Sequence, residues 1–433
     1  MIASGGGTDR LRRRSPELPR LGSAAGMLDT FGQERAAPES IRSLAPDGAV
    51  SVVTREQLAS CPRWPYAFGN QRKDRRYYEI VEDTLREPVV EFRYLVLQEH
   101  REGGIRAVQP FFLLDQDLTA GVGRVGRSLV AAVRRFWPRF LKMQTLMVGC
   151  AAGEGHLDAD GTETSRWVGE RLAAALPGIA RQLDARLVVM KEFPSSDREA
   201  LGSFPRSGFA HVPSLPMTRL GIDYASFDDY LARRLSKPTR KDLRRKIRTA
   251  ERAQPPIELQ VVDDVTPFID EVYPLYLAVL ERSTLQFEKL TREFLCAIGR
   301  RMPDKVRFFI WRQAGRAIAF SLCMVQGDTI YDEYLGLDYA VALDLHLYFY
   351  TLKAIIDWAI ARGIKWYVSS ALNYEPKLHL RCDLAPLDLY VAHTSRPINV
   401  LMKRLLPWLE PTRHDPILRR FSNFSQVWGE HGR

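Results

Sequence analysis

Cysteine is scarce and odd in number. The 433 residues hold five (Cys61, Cys150, Cys296, Cys323 and Cys382), with no CxxC or other metal-like spacing. Such a set gives neither a disulfide framework nor a zinc site, and its simplest reading is a reduced, cytoplasmic protein with buried thiols. Long hydrophobic runs are missing too. The longest strongly apolar stretches, such as Ala317–Val325, are under half of the roughly 20 residues a membrane span needs, which argues against a transmembrane segment. The arginines near the start (Arg10, Arg12, Arg13, Arg14, Arg20) are followed by no apolar stretch, so no secretory signal is expected. HExxH, GxSxG and GxxxxGK[ST] are all absent, and the eight histidines lack ligand spacing. Zinc hydrolase, serine hydrolase and P-loop NTPase chemistry are therefore unsupported, and no metal is expected.

Acid is the scarcer charge. Asp and Glu number 52 against 62 Lys and Arg, a net charge of +10. The excess points to anionic partners: cofactor phosphates, nucleic acid or an anionic membrane face. What is plentiful is ordinary globular material, 45% hydrophobic and 26% charged. Residues 1–50, with three consecutive glycines and the Arg-rich run, read as a disordered tail, and Met27 is an alternative start.

Two stretches share one order of elements. In the first, residues 91–98 and 105–114 form a hairpin and 145–148 a third strand. Residues 165–184 form a helix kinked at Pro177, 187–190 a buried strand, 196–203 a short helix and 217–220 a closing strand. In the second, 306–312 and 317–326 form a hairpin and 329–335 the next strand. The clearest helix covers 345–362, with Leu345, Phe349, Leu352, Ile355, Ile356, Ala359 and Ile360 at a 3.6-residue period. Asp344 is its expected N-cap and Gly363 its stop. A strand at 364–368, a short helix at 374–380 and a closing strand at 386–391 follow. Expected boundaries are a first lobe at 51–225, a basic helical linker at 226–300, a second lobe at 301–399 and a helical tail at 400–433.

This order of elements resembles the GNAT acyltransferase fold. Doubled, with a basic helical segment between the copies, it resembles the FemAB-like branch of tandem GNAT proteins. YLARRLSKPTRKDLRRKIRTAER is similar to the basic helix that opens the second copy, and RFFIWRQAGRAIAFSLCMVQGDTIYDEYLGLD to its three-strand meander. YFYTLKAIIDWAIARGIKWYVSS resembles the helix and splayed strand, and NYEPKLHLRCDLAPLDLYV the Lys-bearing segment after it. LVVMKEFPSSDREALGSFPRSGFAHVPSL is the matching part of the first copy. The fold class this implies is α/β with mixed α+β sheets, as two tandem GNAT-like lobes. The implied activity is transfer of an acyl group from an acyl-CoA thioester, such as acetyl-CoA, to a small-molecule amine. The branch also implies an alternative donor, aminoacyl-tRNA, and a non-catalytic anion- or nucleic-acid-binding protein remains a third reading. Two departures stand out. The loop before the long helix, Gly336–Leu343, has no glycine after Gly336, whereas CoA-binding GNAT proteins use a Gly-containing loop to hold the pyrophosphate. Arg381 also stands where the branch usually has glycine.

Acyl transfer to an amine needs a neutral nucleophile, a stabilised oxyanion and a route for protons. Glu333, on the strand where GNAT enzymes often carry a base, is the candidate base; alternatively it is a surface acid or pairs with an arginine. Strict alternation in TIYDEYL puts Tyr331, Glu333 and Leu335 on one face and Asp332 and Tyr334 on the other. Tyr374 is the candidate proton donor to the leaving group, and Lys377, three residues on, a holder of donor phosphate or substrate carboxylate. Lys191, with Glu192 at the end of the first copy's buried strand, stands where α/β sheets tend to bind ligands. Arg240, Arg244 and Arg248 form a stripe suited to phosphates, or one face of a solvated helix. Residues 129–141 mix aromatics with arginine and suit either core packing or a membrane surface.

Overall fold

A computed structural model describes residues 41–45, 48–85, 89–99, 103–117, 142–283, 288–413 and 415–428. The expected tail up to residue 40, Met27 and the aromatic–arginine stretch 129–141 lie outside the described residues.

Fifteen strands form two mixed sheets. In chain order they are β1 (Arg42–Ala45), β2 (Gly48–Val53), β3 (Val89–Glu99), β4 (Ile105–Asp117), β5 (Lys142–Val148), β6 (Leu187–Pro194), β7 (Ala210–Pro213) and β8 (Met217–Gly221). After the basic segment come β9 (Ile257–Val262), β10 (Val306–Gln313), β11 (Arg316–Gln326), β12 (Thr329–Leu337), β13 (Trp366–Ser369), β14 (Asp383–Ala385) and β15 (Leu387–His393). The first sheet runs β1-β2-β3-β4-β5-β6-β15-β7 and the second β14-β8-β13-β12-β11-β10-β9. Pairing is antiparallel except β5 with β6 and β12 with β13. Each parallel pair is joined through a helix, Thr162–Gln182 or Leu347–Ile360, as parallel strands require.

The two sheets have corresponding orders, with one exchange. β8 was expected to close the first lobe, but it pairs with β13 and β14 in the second sheet. β15 was expected to close the second lobe, but it pairs with β6 and β7 in the first. Each lobe thus donates its last strand to the other. Both donated strands sit between two neighbours, so neither edge is left open.

Local chemistry explains most elements. Ala314 and Gly315, both at positive φ, close the two-residue β10–β11 hairpin. Gly363, at φ +71°, ends the helix Leu347–Ile360. Its N-cap is His346, not Asp344, because the preceding loop coils into turns that run on to Leu347. The helix Thr162–Gln182 continues through Pro177. The short helix expected at 196–203 is instead a 3₁₀ turn, Ser195–Asp197, followed by single turns. Gly202 and Pro205 deprive it of helix-propagating residues. The basic segment is two helices, Phe227–Arg234 and Lys237–Glu251.

The second helix of that segment buries Leu243, Ile247 and Ala250. Leu243 and Ile247 join Ile355 and Ile356 of the long helix on one face of the second sheet. The helix Thr162–Gln182 covers one face of the first sheet. A third cluster joins both lobes: Tyr94 and Val108 of the first sheet and Phe308 and Phe320 of the second meet around the helices Arg75–Thr84, Ile269–Arg282 and Arg292–Arg301. Gly336 admits one of these helices to β12, since a Cβ there would lie 2.7 Å from the Leu275 carbonyl carbon.

Candidate active site

β12 and β13 pair only from Thr329 to Asp332 and from Trp366 to Ser369, then part. At the point of parting β12 carries a bulge. Leu322 faces Tyr334 and Cys323 faces Asp332, so Glu333 has no partner on β11. The extra residue resets the alternation, which corrects the face assignment expected from strict period two. Tyr331 and Tyr334 both pack on the inter-lobe cluster, while Ile330 and Leu335 pack on the opposite one.

A cavity of about 770 Å³ opens where the strands part. Its walls are Asp332–Leu335 of β12, the segment Ser369–Glu375 with Lys377, residues of the helix Ile269–Arg282, and Gly153, Glu154 and Glu192 of the first lobe. The corresponding parting in the first lobe, beyond Val148 and Met190, is filled by its own loop. Gly155 N–H donates to the Glu192 carbonyl, and Lys191 Nζ donates to the Gly153 carbonyl at 2.7 Å. Gly153 is required there: its φ is +78°, and a Cβ would lie 2.3 Å from Lys73 Nζ.

Glu333 is buried beside Arg72, whose Nε donates to Glu333 Oε1 at 2.7 Å. Arg72 also pairs with Glu154 and lies 3.9 Å over the Tyr331 ring. Glu154 takes Lys73 Nζ at 2.9 Å and His156 Nε2 at 3.1 Å. Burial alone would raise the Glu154 carboxyl, but Arg72 and Lys73 hold it well below the ordinary carboxylate range. Glu333 Oε2 has no hydrogen-bond partner among the described residues.

Two acids on the cavity wall, Asp332 and Glu288, differ from Glu154. Asp332 is raised above the usual carboxylate range by burial, against hydrogen bonds from Ser321 and Tyr367, the latter at 2.6 Å. Glu288 is raised by burial too, and its Oε1 accepts from Tyr334 at 2.7 Å.

Lys377 is buried on the short helix Tyr374–His379 and lines the cavity. Its Nζ donates to the carbonyls of Ser370 at 2.5 Å and Leu372 at 2.8 Å. Leu372 and Asn373 are both left-handed, at φ +74° and +50°, so the ammonium staples a strained turn. Burial pushes its pKa down to about 8. Tyr374 also lines the cavity, but its hydroxyl donates to the Pro216 carbonyl at 2.8 Å and burial raises its pKa. Lys191 is engaged by Gly153 and Glu192, and of that pair it is Glu192 that lines the cavity. Burial would lower the Lys191 ammonium, but Glu192 and Glu288 raise it. Arg240, Arg244 and Arg248 do not line the cavity. Arg240 donates to the Ala232 carbonyl, and Arg244 pairs with Asp228 at 3.1 Å.

Arg72, Glu154, Glu288 and Asp332 were not singled out from sequence. Arg72 sits in the charged run QRKDRR, which has the texture of a solvated surface; only the fold buries it.

The loop Asp338–His346 tests whether CoA fits. Val341, Ala342, Leu345, His346, Leu347, Phe349 and Tyr350 give their N–H groups to nearby backbone carbonyls, and Ala340 gives its own to the Asp338 carboxylate. A pyrophosphate at a helix N-terminus needs such amides free. Most of the segment's amides are committed in this way; those of Leu343, Asp344 and Tyr348 are not among them.

Parting parallel strands and a long connecting helix, repeated in two lobes, with a bulge on β12 of the second, define a tandem GNAT-like fold. A family model, FemAB-like, described as peptidoglycan biosynthesis/recognition, matches residues 135–378. The match covers more than half of the chain, which therefore belongs to the FemAB-like family. The crystal structure of FemX aligns with 81% of this chain and 98% of its own, at 10% identity and a TM-score of 0.50. L-PGS from Bacillus licheniformis aligns with 76% of this chain and 95% of its own, at 14% identity and a TM-score of 0.45. A tandem GNAT protein from the clavulanic acid biosynthesis pathway aligns with 73% and 86%, at 12% identity and a TM-score of 0.39. No curated protein matches in sequence. Family and fold together support an acyltransferase-type function. All five cysteines are free and buried. No metal-ligand cluster occurs among the described residues, and no described helix is long and apolar enough to cross a membrane.

Proposed function

We propose that the protein is an N-acyltransferase whose second lobe joins an activated acyl group to a cationic amine in the cavity where β12 and β13 part. The observation that carries this reading is Glu333: it sits on the β12 bulge, with Oε1 held by Arg72 and Oε2 without a partner. Seven carboxylates line the cavity against Arg282 and Lys377, in a chain whose net charge is +10. Such a lining favours an ammonium group and disfavours an anionic acceptor.

In the proposed reaction the amine gives up one proton and its nitrogen attacks the acyl carbonyl. Glu333 Oε2 takes the proton, directly or through water. The carbonyl oxygen becomes an oxyanion beside the edge of β12 beyond Asp332, which has lost its β13 partner. As the amide forms, the bond to the leaving oxygen or sulfur breaks, and the second proton shed by the nitrogen passes to the leaving group. Tyr374 is a weak candidate for that last transfer, since its hydroxyl is committed to Pro216.

Of the two donors expected from the sequence, the largely committed amides of Asp338–His346 and the lack of a glycine after Gly336 favour aminoacyl-tRNA over acyl-CoA. Arg240, Arg244 and Arg248 would then contact phosphates outside the cavity, with Lys191 and Lys377 shaping its walls. The test is transfer of a labelled acyl group from aminoacyl-tRNA and from acetyl-CoA to a panel of amines, alongside the thermal shift each donor gives the whole protein. The reading expects an amide product that depends on Glu333. A thermal shift by acyl-CoA but not tRNA would reverse the choice of donor. Absence of transfer and of stabilisation with both would overturn the enzyme reading.

A further inference from the structure

We propose that the helix Arg396–Leu409 docks the protein in the plane of an anionic membrane surface. One side of this helix is committed to the fold. Met402 and Leu406 pack against Leu187, Val189 and Val391 of the first sheet. Asn399 donates to the Gly208 carbonyl at 2.8 Å and accepts from His393 N–H at 2.9 Å. The other side carries Ile398, Val400, Leu401 and Leu405, exposed to 46, 55, 57 and 46%. They are four of only seven large hydrophobics so exposed among the described residues. Single exposed aliphatics are ordinary, but a contiguous set on one helix marks an interaction surface. The spacing of Ile398, Leu401 and Leu405 makes a stripe along the helix.

Charge selects the partner. Arg396, Lys403 and Arg404 are exposed on the same helix, Arg404 next to the stripe in helical spacing, and the helix contains no Asp or Glu. A two-fold pairing with a second copy would bring the same three cations into one interface. An anionic lipid surface accepts both features, with aliphatics entering the acyl boundary and cations resting among the phosphates. Fourteen residues span roughly 21 Å at 1.5 Å each. That is short of the roughly 30 Å hydrocarbon core, so the helix lies in the interface and does not cross it.

The test is co-sedimentation of the full chain with phosphatidylcholine vesicles and with phosphatidylglycerol-containing vesicles. Binding to the anionic vesicles is expected, weakened about tenfold or more without phosphatidylglycerol and reduced by salt. Leu401→Glu with Leu405→Glu should abolish it. Arg396→Gln, Lys403→Gln and Arg404→Gln together should weaken it about tenfold or more. All these side chains are exposed, so neither variant should change the thermal midpoint. The proposal is overturned if the wild-type chain ignores anionic vesicles or if both variants still bind. It is also overturned if light scattering finds a dimer in solution that Leu401→Glu dissociates.

Discussion

Arg72 and Glu333 are 261 positions apart in sequence, yet the Arg72 Nε–H meets Glu333 Oε1 at 2.7 Å in the wall of the cavity. Arg72 precedes the first lobe's helix Arg75–Thr84, Glu333 is the bulge residue of the second lobe, and Glu154 completes the group from the first-lobe loop. The candidate base is therefore oriented by the lobe that does not carry it. Removing the cation leaves the buried Glu333 without its hydrogen-bond partner and Glu154 with Lys73 and His156 alone. Arg72→Ala should cost about 3–5 kcal/mol of stability, as loss of one partner from a buried pair does. Urea denaturation checks this, and a loss under 1 kcal/mol would mean the pair is solvated.

Glu333→Gln keeps the shape and the hydrogen bond to Arg72 but cannot take a proton. Turnover should fall by about 10²- to 10⁴-fold, with donor affinity little changed. Single-turnover kinetics with a bound donor separates the two. Full activity across pH would remove Glu333 from the mechanism, and an unfolded variant would point to a structural ion pair.

Lys377 gives a pH signature. Its pKa is about 8 in the fold against 10.5 for an ordinary lysine. Between those values the unfolded chain holds a proton that the native state has released. Stability should therefore rise with pH across that window, by up to about 3 kcal/mol. Lys377→Met should flatten the rise, measured by urea midpoints at neutral pH and near pH 10.

The exchanged strands predict that the halves do not fold alone. A fragment ending after residue 225 lacks β15 and leaves β6 and β7 with unpaired inner edges. It should be unfolded or aggregated when expressed alone and recover structure when co-expressed with the remainder. Dispersed amide NMR signals from the isolated fragment would contradict this.

Replacing Arg240, Arg244 and Arg248 with glutamine should leave stability within about 1 kcal/mol, since exposed ion pairs contribute little. If tRNA is the donor, the same variant should flatten the salt dependence of binding, whose log–log slope for single-strand-like contacts is about −0.7 per phosphate. An unchanged slope would place the tRNA contacts elsewhere.

The sequence by itself determined the local elements: the two hairpins, the helix Leu347–Ile360 with its glycine stop, and the basic helices between the lobes. Their signals are periodicity, turn residues and charge within a few neighbouring positions, and those forces act along the chain. It also placed Glu333, Lys377 and Tyr374 on elements that meet at one cavity. Tertiary structure alone decided the rest. A strand's backbone pairs equally well with any free edge, so nothing local told β8 and β15 to change sheets. The bulge at Glu333 follows from its pairing with β11, not from TIYDEYL itself. Arg72 looks solvated in QRKDRR and becomes the partner of Glu333 only because packing the two lobes takes both charges out of water together.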